Sequence, residues 1–202
     1  MATATRTIGP ADAGRRMTWE EYQTTVFQEG HRYELIGGRL VVFPPPSPRH
    51  GRTWKWVYHR LNAYSDLRPD VINYVIPGSA VFIEERPDDT APEPDIAAFR
   101  DYPLDTEDEI KSWDEVSPIL VVEILSPDNA YKDLERNVEL YLAVPSIMEY
   151  WIFDPRNGLA NTTMRVYRRR GRRWQRPIDL GPGETYTTKL LPGFSLLIDP
   201  LA

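Results

Sequence analysis

The chain has 202 residues and a mass of 23.4 kDa, enough for one domain with a substantial hydrophobic core and short for two. Apolar residues make up 41% and charged residues 27%, and no apolar run approaches the ~18 residues of a membrane span, so a disordered tail and a spanning helix are both excluded. Cysteine is absent, which removes disulfides, thiolate metal sites and cysteine nucleophiles, and the net charge of −6 argues against a generally basic nucleic-acid coat while leaving room for a local basic site.

Residues 1–16, rich in Ala, Thr, Gly and Arg, are expected to be disordered, and they lack the apolar centre of a secretory signal, which makes the cytoplasm the expected location. A helix is predicted to begin after Thr18, with Glu21 completing a capping box, and to end near Gly30. Residues 33–36 and 39–43 flank Gly37-Gly38 as the two arms of a hairpin that three prolines stop. In 50–65 the spacing of Trp54, Val57, Tyr58, Leu61 and Tyr64 predicts an amphipathic helix covering one sheet face.

Strands are predicted at 71–76, 80–84 and 95–99, followed by an acidic, solvated stretch over 101–115. The run 119–125 is apolar except for Glu123, as in a strand buried on both faces. Residues 130–143 carry a helical stripe of Leu134, Val138, Tyr141 and Leu142, and 148–153 is strand-like again, so a right-handed βαβ crossover is expected. Short strands and turns fill the remainder, at 163–168, 174–178, 186–190 and 194–198. The expected architecture is a mixed α+β fold of the α/β type: a mixed sheet of about six to eight strands with helices packed on it, formed by 17–202 as a single domain.

Glu123 is the first oddity, because a carboxylate inside an apolar strand costs several kcal/mol unless it is paired, bound to metal or near the strand end. Ser126-Pro127 ends that strand, which puts Glu123 near its C-terminal edge, where α/β sheets present ligand-binding groups. Asp95, entered through Glu93-Pro94, begins another short strand. Two strand-borne carboxylates brought together by sheet pairing would form an oxygen-ligand site for Mg²⁺. The bland alternatives are a strand-entry residue satisfied by backbone N–H groups for Asp95, and a buried partner of one arginine for Glu123.

Pro94-Asp95 followed by Glu123 in Val-Val-Glu-Ile-Leu-Ser-Pro resembles the PD-(D/E)XK nuclease superfamily, specifically its bacterial Uma-type endonuclease family. Tyr33-Glu34-Leu35-Ile36-Gly37-Gly38-Arg39-Leu40, the Pro-Ser-Pro before His50-Gly51, the stretch 149–155 (Glu-Tyr-Trp-Ile-Phe-Asp-Pro) and Leu191-Pro192-Gly193-Phe194 match that family in order and spacing, so the resemblance runs over roughly 17–197. It implies a restriction-endonuclease-like core and Mg²⁺- or Mn²⁺-dependent hydrolysis of DNA phosphodiester bonds. Asp95 and Glu123 would be metal ligands, with the backbone carbonyl of Ile124 as a further one, Glu34 an additional acidic site residue and His50 an accessory group. Glu34 could equally salt-bridge from a hairpin, and His50 could cap a helix. Cutting both strands would favour a homodimer.

The chain departs from the pattern where the superfamily has a lysine two residues after Glu123, since Leu125 stands there. In the family a lysine on the next helix takes the role, and here that position is Asn137. At about 100° per residue Asn137 lies beside Tyr141 and can face the sheet, whereas Lys132 and Arg136 are expected on the opposite side of the helix. Asparagine can orient water but supplies no positive charge. The expected function is therefore an impaired endonuclease with Glu34, Asp95, Glu123 and Asn137 at its site, or alternatively a catalytically silent binding module on the same fold. A basic hairpin around Gly171, with Arg169, Arg170 and Arg172 among its arginines, is a candidate for phosphate contacts, set against a solvated hairpin that balances the acidic stretch.

Overall fold

The computed structural model describes residues 7–84, 86–104, 112–127 and 130–202. Thr18 caps α1 (Trp19–Thr24) by accepting from the Glu21 amide while Glu21 reaches back to the Thr18 amide, the expected capping box, but the helix stops well before Gly30. β1 (Arg32–Ile36) and β2 (Arg39–Phe43) form the expected hairpin, with Gly37 and Gly38 at φ +57° and +66°, backbone that L side chains avoid. Ser47 then caps α2 (Pro48–Leu67), whose Trp56, Val57, Leu61 and Tyr64 face inward.

The central sheet runs β3 (Tyr74–Ile76), β4 (Ile96–Phe99), β5 (Leu120–Ile124), β6 (Glu149–Asp154), β7 (Thr163–Arg170) and β8 (Arg173–Trp174), and β9 (Ile178–Leu180) also pairs with β7. β5 and β6 are parallel and the other pairs antiparallel, so the sheet is mixed and the crossover between β5 and β6 carries α3 (Asn137–Ala143). The remaining pair, β10 (Thr185–Thr187) and β11 (Ser195–Leu197), forms a separate ribbon tied to β6 by Tyr186, whose hydroxyl donates to Glu149.

Alternation along β5 divides the core. Leu120, Val122 and Ile124 pack with α2 and with Trp151 and Phe153 of β6. Val121, with Tyr150 and Ile152, packs with Leu140, Tyr141 and Val144 of α3. Glu123 shares the parity of Val121 and so points to the α3 side. No helix among the described residues is long and apolar enough to cross a membrane.

Three expectations are corrected here. Residues 7–16 pack instead of fraying: Ile8 is buried and bridges Phe27, and the amides of Gly14 and Leu40 bond across to Leu40 and Arg15; residues 1–6 lie outside the described set. Residues 80–84 are not a strand. Val81 and Ile83 donate to Pro92 and Thr90 across a proline-rich loop, where missing amides prevent a ladder. β3 spans 74–76 and not 71–76, because Val71 and Ile72 donate to Arg68 and close the turn that ends α2.

Arg169 is committed to this fold. Its Nη2 donates to the carbonyls of Tyr141, Leu142 and Val144 at 3.1, 2.9 and 2.8 Å, capping the C-terminus of α3, and the guanidinium stacks on Trp174 at 5.1 Å. Arg170 and Arg172 are exposed. Arg169→Ala should cost about 1–3 kcal/mol and lower the thermal midpoint by several degrees, while Arg170→Ala should change stability by less than about 0.5 kcal/mol. Calorimetric melting of the two variants checks this.

Candidate active site

The β4–β5 register pairs Ile96 with Val122, so one residue further along Asp95 comes opposite Glu123. The Ile124 amide donates to Asp95 Oδ2 at 2.7 Å, which ties the two strand ends together. His50 Nε2, from the first turn of α2, donates to the same oxygen at 2.9 Å, its buried Nδ1 finding no partner among the described residues, and Arg32 of β1 pairs with Oδ1. Burial alone would raise the Asp95 carboxyl. The His50 hydrogen bond and the charges of Arg32 and Lys132 outweigh it and hold Asp95 well below the ordinary carboxylate range.

Glu123 is fully buried. Its Oε1 accepts from Asn137 Nδ2 at 2.8 Å and from the Tyr141 hydroxyl at 2.9 Å, and Lys132 Nζ lies 3.5 Å from both carboxylate oxygens. Burial raises the Glu123 carboxyl, Lys132 opposes that, and the nearby charges of Asp95 and Glu34 add to it. Lys132 Nζ also meets Glu34 Oε1 at 3.0 Å and Asp133 Oδ1 at 3.3 Å. Burial would lower the Lys132 ammonium, but Glu123, Glu34 and Asp133 more than reverse it and keep the side chain charged. Arg136 pairs with the other oxygen of Glu34.

The structure thus gathers Glu34, His50, Asp95, Glu123 and Asn137, as the sequence suggests, and corrects the placement of Lys132 and Arg136. Lys132 does not lie on the far side of the helix. Residues Lys132–Arg136 form a π-helical turn closed by the Asn137 amide on the Lys132 carbonyl, an i→i+5 bond. In an α-helix five residues rotate the side chain by about 140° from its starting face. The wider π turn brings Lys132 and Asn137 onto the same face, and both reach Glu123. A lysine, absent from position 125, thus reaches Glu123 from the helix. Arg32 also went unread, although its alternation with Glu34 along β1 places both on one face of the hairpin.

The donor chemistry fits a hard divalent cation. Among the described residues Glu123 Oε2 meets only the Lys132 ammonium and Asp95 Oδ1 only the Arg32 guanidinium, so each retains lone pairs. Among those residues no group of three or more acidic or histidine side chains is placed to hold a metal ion, so side chains alone would supply two ligands at most. Two carboxylates with the remaining positions left to water and phosphate is how Mg²⁺ is commonly held.

The fold and candidate site are thus a mixed sheet whose end carries paired acidic strand residues, with a lysine directed at one of them. The family model for Uma2, described as "Putative restriction endonuclease", matches residues 19–199, and the chain belongs to that family. In a crystal structure of a putative nuclease belonging to DUF820 from Anabaena variabilis ATCC 29413, the fold is similar at a TM-score of 0.65 and 18% identity, over 90% of this chain and 95% of that one. No curated protein matches the chain.

Glu93 stands beside this centre. Burial pushes its carboxyl from an ordinary 4.5 up to about 7, the Tyr22 hydrogen bond and the charges of Arg32 and Lys132 opposing the shift and that of Glu34 adding to it. A carboxyl raised by folding stabilises the native state fully below its unfolded value, and that stability is lost as pH rises toward 7. Wild type should lose up to about 3 kcal/mol from this group between pH 4.5 and 7.5, and Glu93→Gln should remove that loss. Denaturant melts of both proteins across this range measure the difference, and parallel pH profiles would contradict it.

Proposed function

We propose that this protein is a divalent-metal-dependent endonuclease that hydrolyses phosphodiester bonds of DNA. The observation that carries the reading is the convergence at one sheet end of Asp95, Glu123 and the ammonium of Lys132, 3.5 Å from both Glu123 oxygens. Mg²⁺ or Mn²⁺ held by Asp95 and Glu123, with the Ile124 carbonyl as a further ligand, would supply Lewis acidity and a more acidic bound water.

The residues have separable tasks in this reading. Asp95 is kept ionised by His50 and Arg32 and serves as the anchoring anion. Asn137 and Tyr141 hold Glu123 by one oxygen and leave the other turned toward Lys132. Lys132 places positive charge where negative charge develops on the phosphate and the attacking water. Glu34 positions Lys132 and Arg136. Asn137 is thus a positioning residue and not a weakened substitute for the lysine, and the main ground for a catalytically silent module falls away.

DNA as substrate is supported by the family and by α2. Arg49, Arg52, Lys55 and Arg60 are exposed on that helix, which carries a single acidic residue, Asp66, and begins at His50 of the site. On a protein of net charge −6 such a stripe is suited to phosphates leading into the site. It is a stronger candidate than the hairpin around Gly171, where Arg169 is occupied by α3 and Arg165 by Asp179. Replacing Arg52, Lys55 and Arg60 with Gln should weaken DNA binding and reduce its salt slope by about one unit per lost phosphate contact, as read by anisotropy titrations at several salt concentrations.

The catalytic reading is tested on plasmid DNA with Mg²⁺. Lys132→Met should reduce cleavage by about a hundredfold or more, Asn137→Lys should not raise it, and Glu123→Gln supplies the blank. Calorimetric titration with Mg²⁺ should show binding to wild type that is lost in Glu123→Gln. Cleavage that survives Lys132→Met, or rises in Asn137→Lys, would overturn the assignment of the lysine.

A further inference from the structure

A cavity of about 750 Å³ opens on the side of Asp95 formed by α1, β1 and β3. Its walls include Tyr22, Phe27, Tyr33, Tyr74 and Trp113, aromatic residues whose inner faces pack on the core. Phe27, Tyr74 and Trp113 are half-buried, Tyr74 stacked by one face on Tyr102. Arg32 and Glu93 stand in this wall with the polar Gln23, Thr25, His31 and Ser112, and both also line the smaller cavity that holds His50 and Asp95. Arg32 is the residue that pairs with Asp95. The aromatic cavity and the phosphodiester site are therefore contiguous through these two side chains.

Glu93 is fixed at this junction. The Tyr22 hydroxyl lies 2.8 Å from the Tyr33 carbonyl and 2.9 Å from Glu93 Oε1, which holds the carboxyl in place and leaves its second oxygen for another partner. Aromatic faces that stack a flat ring, a cation and a carboxyl that read its edge, and a neighbouring site for phosphate together match one ligand chemistry. A purely apolar ligand would leave Arg32 and Glu93 unused, and bases stacked within a duplex offer no free face to the aromatic wall.

We propose that this cavity receives an unpaired nucleobase of the strand being cut, stacked on Tyr74 and Trp113 with Glu93 at its edge. The inference deepens the endonuclease reading and rests on it for the placement of the phosphate. It makes the substrate a single-stranded segment, or a duplex from which one base is extruded. Glu93 and Arg32 are positioning and recognition residues here, and the reacting atoms remain at Asp95 and Glu123.

The test is binding of a short oligonucleotide carrying 2-aminopurine, in chelator so that turnover plays no part. Wild type should quench the 2-aminopurine emission of the single strand. Tyr74→Ala and Trp113→Ala should each bind about fivefold to a hundredfold more weakly, the range expected for one lost stack, while Tyr74→Phe and Trp113→Phe retain affinity. Replacing the labelled nucleotide by an abasic site should cost wild type a similar factor and cost Tyr74→Ala little. A change of emission in the duplex assigns extrusion, and a response limited to the single strand assigns an already unpaired substrate. Equal affinity of wild type, both alanine variants and the abasic oligonucleotide would overturn the proposal, as would alanine variants that melt like wild type and bind like it. Stacking without any Mg²⁺-dependent cleavage would sink the endonuclease reading and leave the base pocket standing.

Discussion

The ammonium of Lys132 is surrounded by three carboxylates, Glu34, Glu123 and Asp133, all buried, at 3.0 to 3.5 Å. Burying several anions in a protein interior is prohibitive without compensating charge, because each loses several kcal/mol of hydration. The fold meets that demand by widening one helical turn: the π segment Lys132–Arg136 presents Lys132 inward together with Asn137. A regular helix here would direct Lys132 away and leave Glu123 with two neutral donors against the field of Asp95 and Glu34. The geometry of the site, the tolerance of Glu123 in an apolar strand and the course of the crossover all depend on that turn.

The second constraint is the sheet register. Asp95 joins the candidate site because β4 runs antiparallel to β5 and its entry residue falls opposite Glu123, close enough for the Ile124 amide to bond its carboxylate. Three elements remote in sequence then converge on Asp95: β1 through Arg32, α2 through His50 and β5 through Ile124. The apolar interior between α2 and the sheet keeps them in register, with Val57, Leu61, Ile96 and Leu120 fully enclosed.

Much of this was legible in the amino-acid sequence, where local signals and tertiary structure agree. The capping box at Thr18, the double-glycine hairpin, the amphipathic α2 and the parallel β5–β6 crossover each follow from spacing and turn chemistry. Glu123 is conspicuous because a carboxylate in an apolar strand needs the partners it finds in Lys132, Asn137 and Tyr141. The failures share a cause as well. Lys132 was misplaced because a uniform α-helical period was carried through a segment where the backbone bonds i→i+5. Residues 80–84 have strand composition, but their partners at 90–92 include Pro92, which can accept and not donate. Ile8 falls in the stretch expected to be disordered, and its burial against Phe27 depends on a bridge that local periodicity cannot reveal.

The two central carboxylates are also unequal, and the inequality assigns their work. Asp95 is drawn down by His50, Arg32 and Lys132 against its own burial, so it stays an anion across the physiological range. Glu123 is pushed up by burial and by the charges of Asp95 and Glu34, with Lys132 as the main opposing charge. Neighbouring titratable groups driven apart in this way divide a site into a fixed charge and a responsive one. Asp95 is the fixed charge, set by hydrogen bonds that no ligand need alter. Glu123 is the responsive one, since any further positive charge brought to its free oxygen favours its ionised form and relieves the demand on Lys132. Lys132, 3.5 Å from both Glu123 oxygens, is the charge on which the ionisation of Glu123 chiefly depends.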